Sequence, residues 1–113
     1  DLDDFAKLTG DNNPIHMDES YASKSQFGER VVHGMLSASF ISTIIGTKLP
    51  GKGALWISQT LDFLAPARIG DEITVIACVK NKSESLKVLS LDIEVKNQNK
   101  TTLIRGSSKV KLV

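Results

Sequence analysis

The stretch Met35–Lys48 constrains this chain more than any other, because it has the length of a helix and is apolar around most of its circumference. A helix of that kind is normally buried on most sides. About fourteen residues make a rod roughly 21 Å long at 1.5 Å per residue. Serines and alanines along it, such as Ser37, Ala38 and Ser42, let neighbouring backbone come close. The stretch is too short and too polar to span a bilayer, which takes about 20 apolar residues. Other parts of the chain must therefore cover it.

The candidate cover lies downstream, where the hydrophobic period falls to two. Ile57, Leu61, Phe63 and Ala65 mark a first strand, closed by Ala65-Pro66 and a Gly70-Asp71 turn. Ile73, Val75, Ala77 and Val79 alternate with Thr74, Ile76, Cys78 and Lys80 in a second. A third sets Leu89, Leu91, Ile93 and Val95 against Val88, Ser90, Asp92 and Glu94. The turn Asn97–Lys100 leads to a fourth, Thr101–Leu112, with Arg105, Lys109 and Lys111 on its polar face. Alternation of this kind predicts one buried and one wet face, and short turns favour antiparallel pairing. One long apolar helix on an antiparallel sheet is an α+β arrangement. With 113 residues, no repeats and no internal linker, residues 1–113 read as a single domain.

Upstream of the long helix, Leu2, Phe5, Ala6 and Leu8 recur at helical spacing, and Gly10 stands where a helix commonly ends. Asp1, Asp3 and Asp4 suit the positive end of that helix. Asp11-Asn12-Asn13-Pro14 is a cluster of turn formers that stops it. Asp18 is the expected N-cap of a short helix through Ser25, with Gly28 breaking the chain after it.

Several function classes are disfavoured. Net charge is +1 and the 14 basic residues are spread along the chain, so no basic stripe points to nucleic acid. Cys78 is the only cysteine, which rules out an intrachain disulfide and favours a reducing compartment. Two histidines without a supporting cysteine or acidic pattern argue against a metal site. There is no Gly-rich phosphate loop and no Gly-x-Ser-x-Gly elbow. No signal-type leader precedes the first helix, and a start at Asp1 reads as a trimmed N-terminus.

Asp11 and His16, five apart across Pro14, can orient one water and share its proton, since histidine is the residue type that exchanges protons near neutrality. Asn13 can add an amide hydrogen bond to the same water. The alternative is that Asp11 and Asn13 merely build an Asx turn around a satisfied loop histidine. Gly34 opens the long helix, so its N–H is an orphan donor suited to a carbonyl oxygen gaining charge. The alternative there is a glycine chosen for close packing or a special dihedral. His33 reads as structural. Ser42 sits on the apolar helix, where its hydroxyl either bonds a carbonyl four residues back or reaches the polar cluster.

Taken together, these residues resemble the MaoC-like (R)-specific enoyl-CoA hydratases. The family signature, Ser/Thr-Gly-Asp-x-Asn-Pro-aliphatic-His, is matched at every position by Thr9–His16. Val32-His33-Gly34-Met35-Leu36, Leu49-Pro50-Gly51-Lys52-Gly53 and Phe63-x-x-Pro66-x-x-x-Gly70-Asp71 look like further family segments in the right order. The resemblance implies a hot dog fold, in which an antiparallel sheet wraps a long central helix. It implies a hydro-lyase that reversibly adds water to a trans-2-enoyl thioester. Asp11 and His16 would then be the catalytic pair, with Asn13 and Ser42 in the supporting hydrogen-bond network. The Gly34 N–H would be the oxyanion donor and Ile45 would line the acyl pocket. No cofactor or metal is implied beyond the coenzyme A or acyl-carrier-protein thioester itself. A homodimer, without nucleic-acid or membrane partners, is expected in the cytoplasm or, alternatively, the mitochondrial matrix. Lys48, Lys52 and Arg68 are the cations available to carrier phosphates. The rival readings are a hot dog acyl-thioesterase and a non-catalytic acyl-binding or assembly domain. One departure stands out: the family usually has an edge strand before the first helix, and here it is expected to be missing.

Overall fold

The computed structural model describes residues 1–113 as four helices followed by four strands. Helix α1 (Leu2–Thr9) carries Asp3 and Asp4 in its first turn and ends at Gly10, whose φ of 80° is left-handed. Glycine adopts that conformation without a Cβ penalty, and its N–H closes the helix by bonding Ala6 O. Where only a turn was expected, a short helix α2 (Pro14–Met17) forms. Asn13 caps it, and proline suits the first turn because its missing N–H would have no partner there. Helix α3 (Glu19–Ser23) is capped by Asp18, as expected, and ends two residues short of Ser25. Helix α4 (Gly34–Thr47) is the long apolar one.

The strands are β1 (Ala54–Phe63), β2 (Thr74–Ser83), β3 (Val88–Lys96) and β4 (Thr102–Leu112). They form one antiparallel sheet in the order β1-β4-β3-β2. The last strand is thus internal, paired with β1 on one side and β3 on the other. Phe63 lies opposite Ile104 in the β1–β4 register. The chain leaving β1 stays attached, since Leu64 and Ala65 both donate to Leu103 O. Gly106 is needed in this pairing, because a β-carbon there would lie 1.9 Å from Thr60 O.

Helix α4 packs against β1, β2 and β3. Ala38, Ile41 and Ile45 meet Leu91, Ile93 and Val95 of β3 and Leu103, Ile104 and Val110 of β4. Full burial of a side chain such as Ile41 is worth about 1.5–3 kcal/mol.

Two expectations need correction. The long helix is not buried on most sides: only Ser37, Ala38, Ile41 and Ile45 are buried, while Met35 is 56% and Phe40 42% exposed. The molecule measures 54 × 29 × 18 Å, so a single sheet covers one side of the rod and no layer of this chain covers the other. Nor do all the apolar residues of β1 share an inward face. The register shifts between Trp56 and Ser58, and Ile57 and Phe63 are both exposed while Leu61 packs on the core. A bulge inserts a residue into one strand and re-aims the side chains around it.

Candidate active site

The loop after α1 is built by its own side chains. Thr9 Oγ1 donates to Phe5 O at 2.8 Å and accepts from Asp11 N at 3.2 Å, which pins the loop to the helix end. Asp11 Oδ1 then accepts from Asn13 N, and Asn13 Oδ1 from Ile15 N, each at 3.2 Å. These are successive Asx turns. Turn building therefore occupies one carboxylate oxygen of Asp11, and the other takes no part in it.

His16 projects from α2 and is held from two sides. Its Nδ1 lies 2.8 Å from Val31 O, and Arg30 Nε donates to its main-chain carbonyl. A carbonyl only accepts, so Nδ1 must carry the hydrogen, and Nε2 keeps the lone pair in the neutral ring. His33 is buried at the mouth of α4 with its Nε2 2.9 Å from Asp11 O. By the same reasoning its Nε2 donates. Its Nδ1 is buried without a hydrogen-bond partner. The two imidazoles stack, with centroids 4.1 Å and planes 27° apart. One carboxylate oxygen of Asp11 and one ring nitrogen from each histidine all lie within 4.8 Å of one another. Such a trio invites comparison with a metal site, but its geometry is a poor fit. Ligation at about 2.0–2.1 Å needs lone pairs that converge, and stacked rings direct them side by side.

Asp11, His33 and Gly34 border a cavity of about 550 Å³, whose apolar walls include Phe27, Phe63 and Leu103. Gly34 is the first residue of α4, so its N–H has no carbonyl in a preceding turn and sits at the positive end of the helix. A β-carbon on Gly34 would lie 2.7 Å from Cε1 and 2.8 Å from Cδ1 of Phe63. Close packing of a ring and an orphan N–H thus coincide at this residue.

The segment behind the cavity is fixed by Asp71. Its Oδ1 accepts from Gln98 Nε2 at 3.0 Å and its Oδ2 from Arg68 N at 2.9 Å. These bonds, the Gln98 one foremost, hold its carboxyl below the usual carboxylate range; the Arg68 charge helps and burial opposes. The anchored chain supplies Leu64, Ala65, Pro66 and Ala67 to the cavity wall.

The remaining singled-out residues lie elsewhere. Asn13 is exposed and caps α2. Ser42 is exposed on α4 and Ile45 belongs to the core; neither borders the cavity. Of the cations considered for carrier phosphates, Arg68 is committed to Phe27 O at 2.7 Å and to Glu29 at 3.2 Å. Lys48 and Lys52 are exposed beyond the opposite end of α4 from Gly34. His33 makes structural contacts, as expected, yet also borders the cavity, and Phe63, expected only as a strand residue, lines it too. The available signals were the position of His33 directly before Gly34 and of Phe63 at the head of the Phe63–Asp71 segment.

A single long helix laid on a four-stranded antiparallel sheet in this order is the hot dog fold, as in solved (R)-hydratase structures. Residues 1–101 match the MaoC like domain, and the chain belongs to that family. It is 53% identical over 75 residues to a 3-hydroxybutyryl-CoA dehydratase of Methylorubrum extorquens, covering 66% of this chain and 48% of that protein. An (R)-specific enoyl-CoA hydratase of Aeromonas caviae is 37% identical over 108 residues, covering 96% of this chain and 81% of that protein. The structure of an (R)-hydratase from A. caviae involved in PHA biosynthesis superimposes with a TM-score of 0.95 at 36% identity, over 99% of this chain and 85% of that one. The chain spans about half the length of two of the curated relatives it matches.

Proposed function

We propose that residues 1–113 form one hydratase domain, adding water to trans-2-enoyl thioesters to give (R)-3-hydroxyacyl thioesters. The observation that carries this is the approach of an Asp11 carboxylate oxygen and a His16 ring nitrogen, within 4.8 Å, where Asp11, though not His16, borders the cavity that Gly34 also lines. Two hydrogen bonds of about 2.8 Å meeting at a tetrahedral water span roughly 4.6 Å, so one water suits both groups. Asn13 supports the pair in this reading by capping α2, whereas Ser42, exposed and away from the cavity, meets neither member of it. Ile45 acts on the acyl pocket only from behind, through the core.

In the forward direction the water oxygen bonds to C3 of the enoyl group. One of its protons passes to the Asp11–His16 pair, and the C2–C3 double bond shifts its electrons toward the thioester oxygen. The Gly34 N–H meets that oxygen as negative charge develops. A proton returned from the pair to C2 completes the addition, so one water is consumed and nothing is left over. Fixing the Nδ1 hydrogen on Val31 O leaves the other nitrogen of His16 as the basic one. Loss of one oxyanion donor typically lowers the rate about 10²–10³-fold. The substrate carrier is coenzyme A or acyl carrier protein, and no further cofactor enters the scheme.

A second copy of the chain is part of the same proposal. Met35, Phe40, Leu55 and Ile57 are exposed apolar residues, and β1 is a sheet edge. No helix of the chain is long and apolar enough to cross a membrane, and a cytoplasmic or matrix location is in keeping with the single, unpaired Cys78.

Crotonyl-CoA separates the readings. Hydration removes the enoyl absorbance, hydrolysis releases free thiol, and an assembly domain does neither. The expected outcome is hydration by wild type and a fall of about a thousandfold or more in Asp11→Asn and His16→Ala. An inactive wild type, or variants with undiminished rates, would overturn the proposal.

A further inference from the structure

His33 is 2% exposed, and its ring contacts both members of the candidate pair without belonging to the segment, loop and α2, that carries them. Burial of an imidazole with one nitrogen unpartnered is costly, because a polar atom without a hydrogen bond loses its solvation. A leucine or phenylalanine would fill the same space without that cost. The compensation lies in the other nitrogen and in the ring face. Nε2 donates to Asp11 O across 22 residues of sequence, tying the mouth of α4 to the residue that bears the carboxylate. The ring face lies on His16 at 4.1 Å, and Phe5 of α1 packs against His33 at 4.9 Å. His16 is thereby confined in-plane by Val31 O and out-of-plane by His33.

We propose that His33 is a positioning residue for the Asp11–His16 pair, its Nε2–H fixing the Asp11 main chain and its ring face fixing the plane of His16. The inference rests on the hydratase reading above. His33 also precedes Gly34 directly and stands at the N-cap position of α4, with no side-chain bond to the helix. The bond to Asp11 O therefore sets the carboxylate loop and the orphan N–H of Gly34 in one frame. Misplacing reacting groups by about 1 Å can cost on the order of 100-fold in rate.

Three substitutions divide the two contacts. His33→Gln keeps an N–H donor at similar reach and loses the ring face. His33→Phe keeps the face and loses the donor. His33→Ala loses both. With crotonyl-CoA, kcat is expected to fall about 100-fold in the alanine variant with KM within about twofold, and the other two should fall between it and wild type. In proton NMR, the His16 ring signals should keep their ring-current shift in His33→Phe and lose it in His33→Gln. If the alanine variant does not fold, the Gln and Phe variants carry the test alone. Wild-type kcat in both folded variants overturns the positioning role while leaving the hydratase reading intact. A rise in KM at constant kcat also overturns it, since that marks uniform binding. An inactive wild type overturns the hydratase reading and this inference with it.

Discussion

The ring of Phe63 lies across the start of α4 so closely that a β-carbon on Gly34 would sit 2.7 Å from its Cε1. Gly34→Ala retains the backbone N–H but must displace Phe63, which is half exposed and free to swing. Hydration should fall roughly 10-fold to 100-fold, and the double variant Gly34→Ala/Phe63→Leu should recover most of it. Recovery, read as kcat in a double-mutant cycle, would assign the loss to crowding rather than to a missing donor.

Gly106 tolerates no such adjustment. The atom a β-carbon would meet, at 1.9 Å, is the main-chain oxygen of Thr60, inside the β1–β4 ladder. Gly106→Ala should destabilise the domain by about 3 kcal/mol or prevent its folding, since overpacking against a fixed neighbour costs about 1–3 kcal/mol or more. A urea titration monitored by circular dichroism checks this; a midpoint equal to wild type would contradict the β1–β4 register.

Asn13 holds α2, and so His16, through its bond to Ile15 N. Asn13→Ala should cost about 1 kcal/mol, the usual worth of an N-cap, and Asn13→Asp should restore it. Thermal melts of the three proteins decide the point. Equal melting temperatures would show that the cap carries no stability.

Asp71 makes stability depend on pH. Its folded carboxyl titrates below the ordinary value of an unfolded aspartate, mainly through Gln98, so the folded state favours the ionised form. The stabilisation is complete above that unfolded value and is lost as pH falls through the lower folded one. Wild type should therefore exceed Asp71→Ala by on the order of 1 kcal/mol at neutral pH, with the gap narrowing below about pH 4. A gap independent of pH would show that the carboxylate charge has no part in anchoring residues 64–71.

What the sequence by itself determined is local. Gly10 ends α1, Asp18 caps α3, and the run Asp11–Pro14 turns the chain, because each depends on backbone preferences within a few residues. The period-two stretches gave the last two strands to within a residue and the second strand except for its end, which runs on from Lys80 to Ser83; short turns gave their antiparallel sense. The five-residue spacing of Asp11 and His16 allowed their approach but by itself left open an Asx turn around a satisfied histidine, and it was the resemblance that paired them.

Only the tertiary structure decided which distant residues join them. His33 meets Asp11 across 22 positions, and Phe63 meets Gly34 across the gap between a strand end and a helix start. Helix α4 illustrates the reason. Apolar on nearly every side, it carries no sign of which face meets the sheet, so nothing in its pattern separated buried Ile41 from exposed Phe40, or buried Ser37 from exposed Ser42. Periodicity records that a side chain seeks cover; the packing of one sheet against one side of the rod decided which side chains found it.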